Sequence, residues 1–437
     1  MKILVIDPTG AGLDFSLRCQ WAGHEVRHFY SPSKRPNVGR GLITRVKDWR
    51  QHMKWADFIL TTGSDKYAWE LEDYYDAGYP IIGAHKDCAK WELDRVVGME
   101  ILQQHGIDVV PYQRFDSYDD AIAHVKRTEG VYVCKPIGEA DRSLSYVSKG
   151  PDDMVSQLKR AARQGSAKQP FILQEKVEGV EVGVGGWFNK KDWVGPWEEN
   201  FEHKKLMNDE VGVNTGEMGT AMKYVDDSKL ADVFLKPLTT TLAAMGYCGN
   251  IDVGVMVDKY GRAYPLEFTM RTGWPAFYLQ THMNKGDPAQ WLYDLTQGRD
   301  SMKCHMDHCI GVYVCGPSFP HSTPQHHEIE GVPFFGINQK NIKNIHLCDA
   351  MVGHEEVFEE GIWQDRELFV SAGEYYMVVC GRGPTICDAR EEAYSTIKEL
   401  KIPNSPMYRT DIGKKLKDGL RELKAHGFCK EWVYGNP

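Results

Sequence analysis

Over the first ninety positions, short apolar runs alternate with polar turns and one longer helical stretch. Lys2–Ile6 is a run of the length and composition of a buried strand, followed by the turn Asp7-Pro8-Thr9-Gly10-Ala11-Gly12 and a helical segment from Leu13 to Ala22. Phe58–Thr61 and Ile81–Ile82 read as further strands. This βαβ rhythm predicts a parallel sheet with its ligand crevice at the strand C-termini. Trp91–His105 reads as one amphipathic helix, with Trp91, Val96, Val97, Ile101 and Leu102 on its apolar face. Val131–Lys135 is a buried-type strand, and 170–182 a more charged one. Gly249–Asp258 and Tyr264–Arg271, joined through Tyr260-Gly261, predict a hairpin. Strand patterns return at Ile310–Val314, Glu367–Ser371 and Tyr375–Cys380, then a helix at Ile386–Leu400 and a basic final helix at Lys414–His426.

At 437 residues the chain exceeds what one core usually holds, and its pattern divides at 1–90, 91–300 and 301–437. A composition that is 42% hydrophobic and 26% charged is that of a soluble globular protein. The net charge of −9 argues against nucleic acid as the main partner. No apolar run approaches membrane-spanning length and no secretory leader opens the chain, so a cytoplasmic protein with small-molecule substrates is expected, a monomer or small homo-oligomer. Eleven scattered cysteines fit reduced thiols. Cys304-His305-x-x-His308-Cys309, with Cys315 and His321, His326 and His327 beyond it, is the one zinc-like cluster, and reads as buried thiols and surface histidines. Gly10-x-Gly12 lacks the third glycine of a dinucleotide fingerprint, Phe15 standing in its place.

Three places carry chemistry. Lys135 ends an apolar strand, where an ammonium is costly unless it meets an anion. Asp252 and Glu267 alternate with apolar residues on the two hairpin strands, so both can project to one face and repel unless a cation lies between them. Such oxygen ligands suit Mg²⁺, with turn acids or salt-bridge partners the alternative reading. The run 200–219, NFEHKKLMNDEVGVNTGEMG, sets an acid, a histidine and two lysines (Glu202, His203, Lys204, Lys205) before a stretch with three glycines in eight residues, a loop rather than a packed strand.

That run resembles the DHKR…GPNTGGMG segment of glycinamide ribonucleotide synthetases (phosphoribosylamine–glycine ligases) of the ATP-grasp superfamily. The resemblance extends to 172–181, 249–271 and 386–413. It implies an α/β ATP-grasp fold with an N-terminal Rossmann-like domain and a C-terminal mixed α+β lobe, using ATP with Mg²⁺, or Mn²⁺ in its stead. Lys135 and Arg95 would meet phosphates together with Ser143, the backbone of Glu175, Lys176 and Val177 would bind adenine, and Glu181 the ribose. A solvated helix arginine and a surface strand acid are the alternatives at 95 and 181. Asp252, Glu267 and Thr269 would hold the metal; Arg271, Lys204 and Lys205 would face the acyl phosphate. His203, Asn214, Thr215, Gly216, Trp274, Arg409 and Asp411 would line the substrate site.

The chain departs from the family pattern in places. Its phosphate loop, 138–146, keeps only Gly138, with Ser143 and Ser145 as remaining donors. Thr269 stands for an asparagine, Trp274-Pro275-Ala276 for Asp-Pro-Glu, and the 7–13 turn lacks the family's arginine. The implied reaction is ATP-dependent amide formation through an acyl phosphate. Glycine with phosphoribosylamine, an amino acid with another amine, and a nucleotide-binding pseudo-ligase all stay open, with a metal-dependent hydrolase a weaker reading still.

Overall fold

A computed structural model describes residues 1–8, 10–31, 36–137, 145–163, 170–317, 319–320, 330–403 and 406–436. The first segment builds β1 (Lys2–Asp7), α1 (Leu13–Trp21), β2 (Glu25–Tyr30), β3 (Thr44–Val46), β4 (Phe58–Thr61), α2 (Lys66–Glu70), α3 (Glu72–Asp76) and β5 (Ile81–Ile82). Its strands pair in parallel in the order β3-β2-β1-β4-β5. β1 is central because its apolar run is buried from Ile3 onward. Asp7 ends it as a buried carboxylate, accepting the amides of Gly10, Ala11 and Gly12 at 2.7–3.1 Å, the Thr62 hydroxyl at 2.7 Å, and His28 Nε2 at 3.2 Å.

Next come α4 (Lys86–Leu93) and α5 (Arg95–Gln104). The single helix expected over 91–105 is therefore two. Asp94 takes an extended backbone and caps α5, its carboxylate accepting the amides of Val96 and Val97. Capping an N-terminus this way favours a new start over a continuous helix. The break turns Arg95 to the first position of α5.

A four-stranded antiparallel sheet, β6-β9-β7-β8, follows, built from β6 (Tyr112–Phe115), α6 (Tyr118–Thr128), β7 (Tyr132–Pro136), β8 (Tyr146–Val147), α7 (Pro151–Arg163) and β9 (Phe171–Glu175). The chain then enters the central sheet through β10 (Gly179–Asn189) and β11 (Trp193–Glu202), makes a ribbon of β12 (Lys205–Met207) and β13 (Val211–Asn214), and returns through β14 (Gly219–Val225). The loop expected over 205–219 is thus mostly strand. Gly219 is buried because a Cβ there would lie 2.6 Å from the Gly311 carbonyl, so only glycine lets these strands close.

α8 (Lys229–Phe234) and α9 (Thr239–Ala244) precede the hairpin β15 (Cys248–Asp258) and β16 (Ala263–Thr269); then α10 (Ala276–Met283), α11 (Gln290–Thr296), β17 (His308–Cys315), β18 (Ile345–Leu347), the ribbon β19 (Ala350–Glu359) and β20 (Ile362–Ser371), β21 (Tyr375–Gly383), α12 (Ile386–Glu399) and α13 (Leu416–Ala425) complete the chain. The central sheet runs β16-β15-β10-β11-β14-β17-β21-β18, antiparallel throughout. Strands from beyond residue 301 therefore continue the same sheet that holds Asp252 and Glu267. α12 starts on a capping box between Thr385 and Asp388 and packs against β21 and β17.

Candidate active site

Register fixes which side chains share a face of the central sheet. Glu198, Gly185, Asp252 and Thr269 lie opposite one another across β11, β10, β15 and β16; Asn200, Gly183, Gly254 and Glu267 form the neighbouring row. Positions two apart on a strand point the same way, so both rows, with Glu181 and Glu202, present one polar face. The two β10 glycines are what leave it room. A Cβ at Gly183 would stand 2.3 Å from Asn200 Oδ1, and one at Gly185 3.1 Å from Asp252 Oδ2.

Three cations meet this face. Lys204 Nζ lies 2.7 Å from Glu181, 2.9 Å from Glu202 and 3.6 Å from Glu267. Burial opposes its charge, yet these carboxylates hold its pKa well above the ordinary value. Arg95 pairs with the other oxygen of Glu267 and, with Lys204, drives that carboxyl far below the usual range. Lys135 reaches across from β7 to donate to the Leu266 carbonyl at 3.2 Å, bridging the two sheets. Burial, then the nearby Arg95 charge, pulls its pKa down to about 8. Lys204 likewise holds the Glu181 carboxyl below its usual range.

At the other end, acids outnumber cations. Burial, then Glu198 and Glu202, push the Asp252 carboxyl well above its ordinary range. Burial raises Glu198 to about 7. Asn200 Nδ2 donates to Asp252 at 2.7 Å and lies 3.4 Å from Glu198, whose other oxygen accepts Gln280 Nε2 at 2.5 Å. Glu217 is buried, accepts the Thr220 hydroxyl, and is raised by burial and Glu202.

Of the residues expected at the site, Arg95, Lys135, Glu181, Lys204, Asp252, Glu267 and Thr269 come together here. Arg271 stands at the edge, its Nη2 3.2 Å from Glu92 and its Nη1 donating to the Thr272 carbonyl. His203 points away from this face: it is fully buried, its Nε2 accepts the Gly413 amide at 3.0 Å, and burial drops its pKa to about 3. Lys205 offers its carbonyl to Arg409 and starts the ribbon that Asn214 ends. Thr215 bonds back to the Lys204 carbonyl through amide and hydroxyl, and Gly216 is exposed.

Arg409 and Asp411 lie outside the carboxylate face. Buried Arg409 forks onto Asp411 at 2.7 and 2.8 Å and onto Glu210 at 2.9 Å, and Asp411 accepts the Asp209 amide. The pair clamps the tip of the β12–β13 ribbon to the C-terminal segment. Trp274 packs edge-on against Tyr278, Tyr313 and Tyr375 at 5.1–6.0 Å. The amides of Glu175 and Lys176 are committed to the Pro111 and Val131 carbonyls. Ser143 lies outside the described residues.

Sequence reasoning passed over Glu198, Asn200, Glu217 and Gln280. The signal was there in Glu198-x-Asn200-x-Glu202, polar at every second position of a strand, facing glycines at the same spacing in β10. Among the described residues, the His/Cys/acid group with ligand atoms close enough to share a metal ion is His282, His346 and Cys380, and Cys380 lies against Cys309. His346 there bonds Asp14 at 2.7 Å and His282 at 3.4 Å.

A small antiparallel sheet joined through Lys135 to a larger one that carries Asp252 and Glu267 is the arrangement of an ATP-grasp fold. The chain matches the phosphoribosylglycinamide synthetase ATP-grasp (A) domain over residues 95–276. It is 24% identical over 397 residues to the phosphoribosylamine–glycine ligase of Salmonella typhimurium, covering 86% of this chain and 88% of that one. The Fusobacterium nucleatum enzyme of the same name is 23% identical over 358 residues, 78% of this chain and 80% of that one. In structure the chain is similar to the phosphoribosylamine–glycine ligase of Thermotoga maritima, with a TM-score of 0.72 at 18% identity, covering 94% of this chain and all of that one. Among the described residues no helix is long and apolar enough to cross a membrane.

Proposed function

We propose that this protein is an ATP-dependent carboxylate–amine ligase that forms an amide through an acyl phosphate. The observation that carries this reading is the crowding of Lys135, Arg95 and Lys204 around Glu267, with the Lys135 pKa lowered to about 8 by burial and the Arg95 charge, a set of cations that suits an anion. A triphosphate supplies that anion. Lys135 and Arg95 grip its phosphates, Glu181 accepts the ribose hydroxyls, and adenine contacts near β9 fall to carbonyl oxygens and to Val177, the amides of 175 and 176 being engaged.

Asp252 and Glu267, with Thr269 opposite Asp252, are a hard-oxygen set that fits Mg²⁺, or Mn²⁺ in its place. Burial, then Glu198 and Glu202, raise the Asp252 carboxyl, and a bound cation would favour its charged form. When bound, the metal offsets charge on the transferring phosphoryl group. The chain's own part is positional. Lys204 and Arg271 hold the carboxylate substrate against the γ-phosphate, and their charges stabilise the oxygens on which charge grows. The amine then attacks the acyl carbon, and phosphate leaves. No protein nucleophile is needed, and all eleven cysteines are free thiols, which suits a cytoplasmic enzyme.

The relatives' name points to glycine and phosphoribosylamine as substrates. One observation favours a second reading, an amine without a ribose phosphate. The amides of Gly10, Ala11 and Gly12, which a phosphate at the N-terminal turn would require, already bind Asp7. Substrate-dependent ADP formation with phosphoribosylamine against other amines separates the two.

A further inference from the structure

Beyond the phosphate-binding half, the polar face holds a buried group of two acids and two amides. Glu198, Asn200 and Gln280 are each 2–3% exposed, and Asp252 beside them is half-buried. Both amide nitrogens face carboxylates: Asn200 Nδ2 toward Asp252 and Glu198, Gln280 Nε2 toward Glu198. Their carbonyl oxygens, Asn200 Oδ1 and Gln280 Oε1, are buried and find no hydrogen-bond partner among the described residues. A buried acceptor left unmatched costs about 1–3 kcal/mol, so two at one place beside two acids call for a donor that brings charge.

The nearest lysine does not provide it, because Lys204 is engaged with Glu181 and Glu202. We infer that Glu198, Asn200, Gln280 and Asp252 form a receptor for a primary ammonium group of the substrate, which rests on the ligase reading above. An ammonium has three N–H donors and no acceptor, the complement of this set. Mg²⁺ fits the buried part poorly, since it keeps several waters and three of the four side chains are closed to solvent. Tyr224, directly across from Glu198, and Trp187, two residues along β10 from Gly185, stand beside this group, and their buried Oη and Nε1 likewise lack a partner among the described residues. The chain thus carries its cation-binding acids on the sheet, whereas the segment after Gly273, Trp274-Pro275-Ala276, has none.

The test is calorimetric titration of the full chain, loaded with Mg-ADP, with ethanolamine, glycine and 1,4-diaminobutane, each also as its N-trimethylated analogue. Binding of at least one primary ammonium, loss of binding for its trimethyl analogue, and a tenfold or greater weakening in Glu198→Gln with ADP affinity kept within twofold are expected. Asn200→Ser, which keeps a small polar group, should weaken the same ligand and guards against misfolding of the first variant. No primary amine binding, equal binding of trimethylated forms, or binding untouched by both variants would overturn the receptor, even if the enzyme turns over ATP. Amine binding with no ATP turnover for any pair would instead uphold the receptor and sink the ligase reading.

Discussion

Lys135 shows how a single side chain records what is missing around it. Its pKa, brought from 10.5 to about 8, lies below the ordinary value, so above pH 8 the side chain is largely neutral. A triphosphate favours the charged form and lifts that pKa again. ATP binding should therefore take up a proton between about pH 8 and 10, and almost none at pH 6.5, where Lys135 is already charged. Calorimetry in two buffers of different ionisation heat reads this directly; equal heats at pH 8.5 would show that Lys135 does not meet the nucleotide. Gly183 makes the complementary point, that an absent side chain can be as specific as a present one. Gly183→Ala sets a methyl against Asn200 and should cost about 1–3 kcal/mol of stability by overpacking, measurable by urea denaturation. An unchanged midpoint would mean Asn200 moves freely.

Among the elements, the β12–β13 ribbon depends most on one residue outside it. Arg409→Ala leaves Asp411 without its cation, while Glu210 keeps Lys415 at 3.2 Å, and should destabilise the protein by about 1–3 kcal/mol. It should also raise the KM for the carboxylate substrate more than that for ATP, because the ribbon follows directly on Lys204. A melting temperature within a degree of wild type would contradict that clamp. These elements also show what the sequence makes legible. Apolar runs reveal the parallel sheet, the β15–β16 hairpin and α12, since burial writes its period into the chain. The break at Asp94 was hidden because a capping aspartate and a surface helix aspartate look alike until the backbone is known. Val211–Asn214 reads as loop because an exposed ribbon held from the far end of the chain has no apolar face to display. His203 and Arg409 carry charge-bearing side chains, yet their partners lie some two hundred residues away, and only the fold turns them from ligand contacts into supports.

At the scale of the molecule, Lys135 ties the small sheet to the large one, and the larger divides its polar face between a cationic half and an acidic half. The cationic half suits a nucleotide triphosphate and the acidic half suits a metal ion and an amine, with Asp252 between them. Single residues of this division were readable from the chain, Lys135, Asp252 and Glu267 above all. The acidic half was not, because Glu198 and Asn200 gain their meaning only from register with Gly185 and Gly183. The most direct test of the account is phosphate release from Mg-ATP in the presence of carboxylate and amine pairs, run beside Glu267→Ala. The account predicts release that requires both a carboxylate and an amine and falls at least a hundredfold in the variant. ATP bound with no release for any pair, or release indifferent to Glu267, would contradict it.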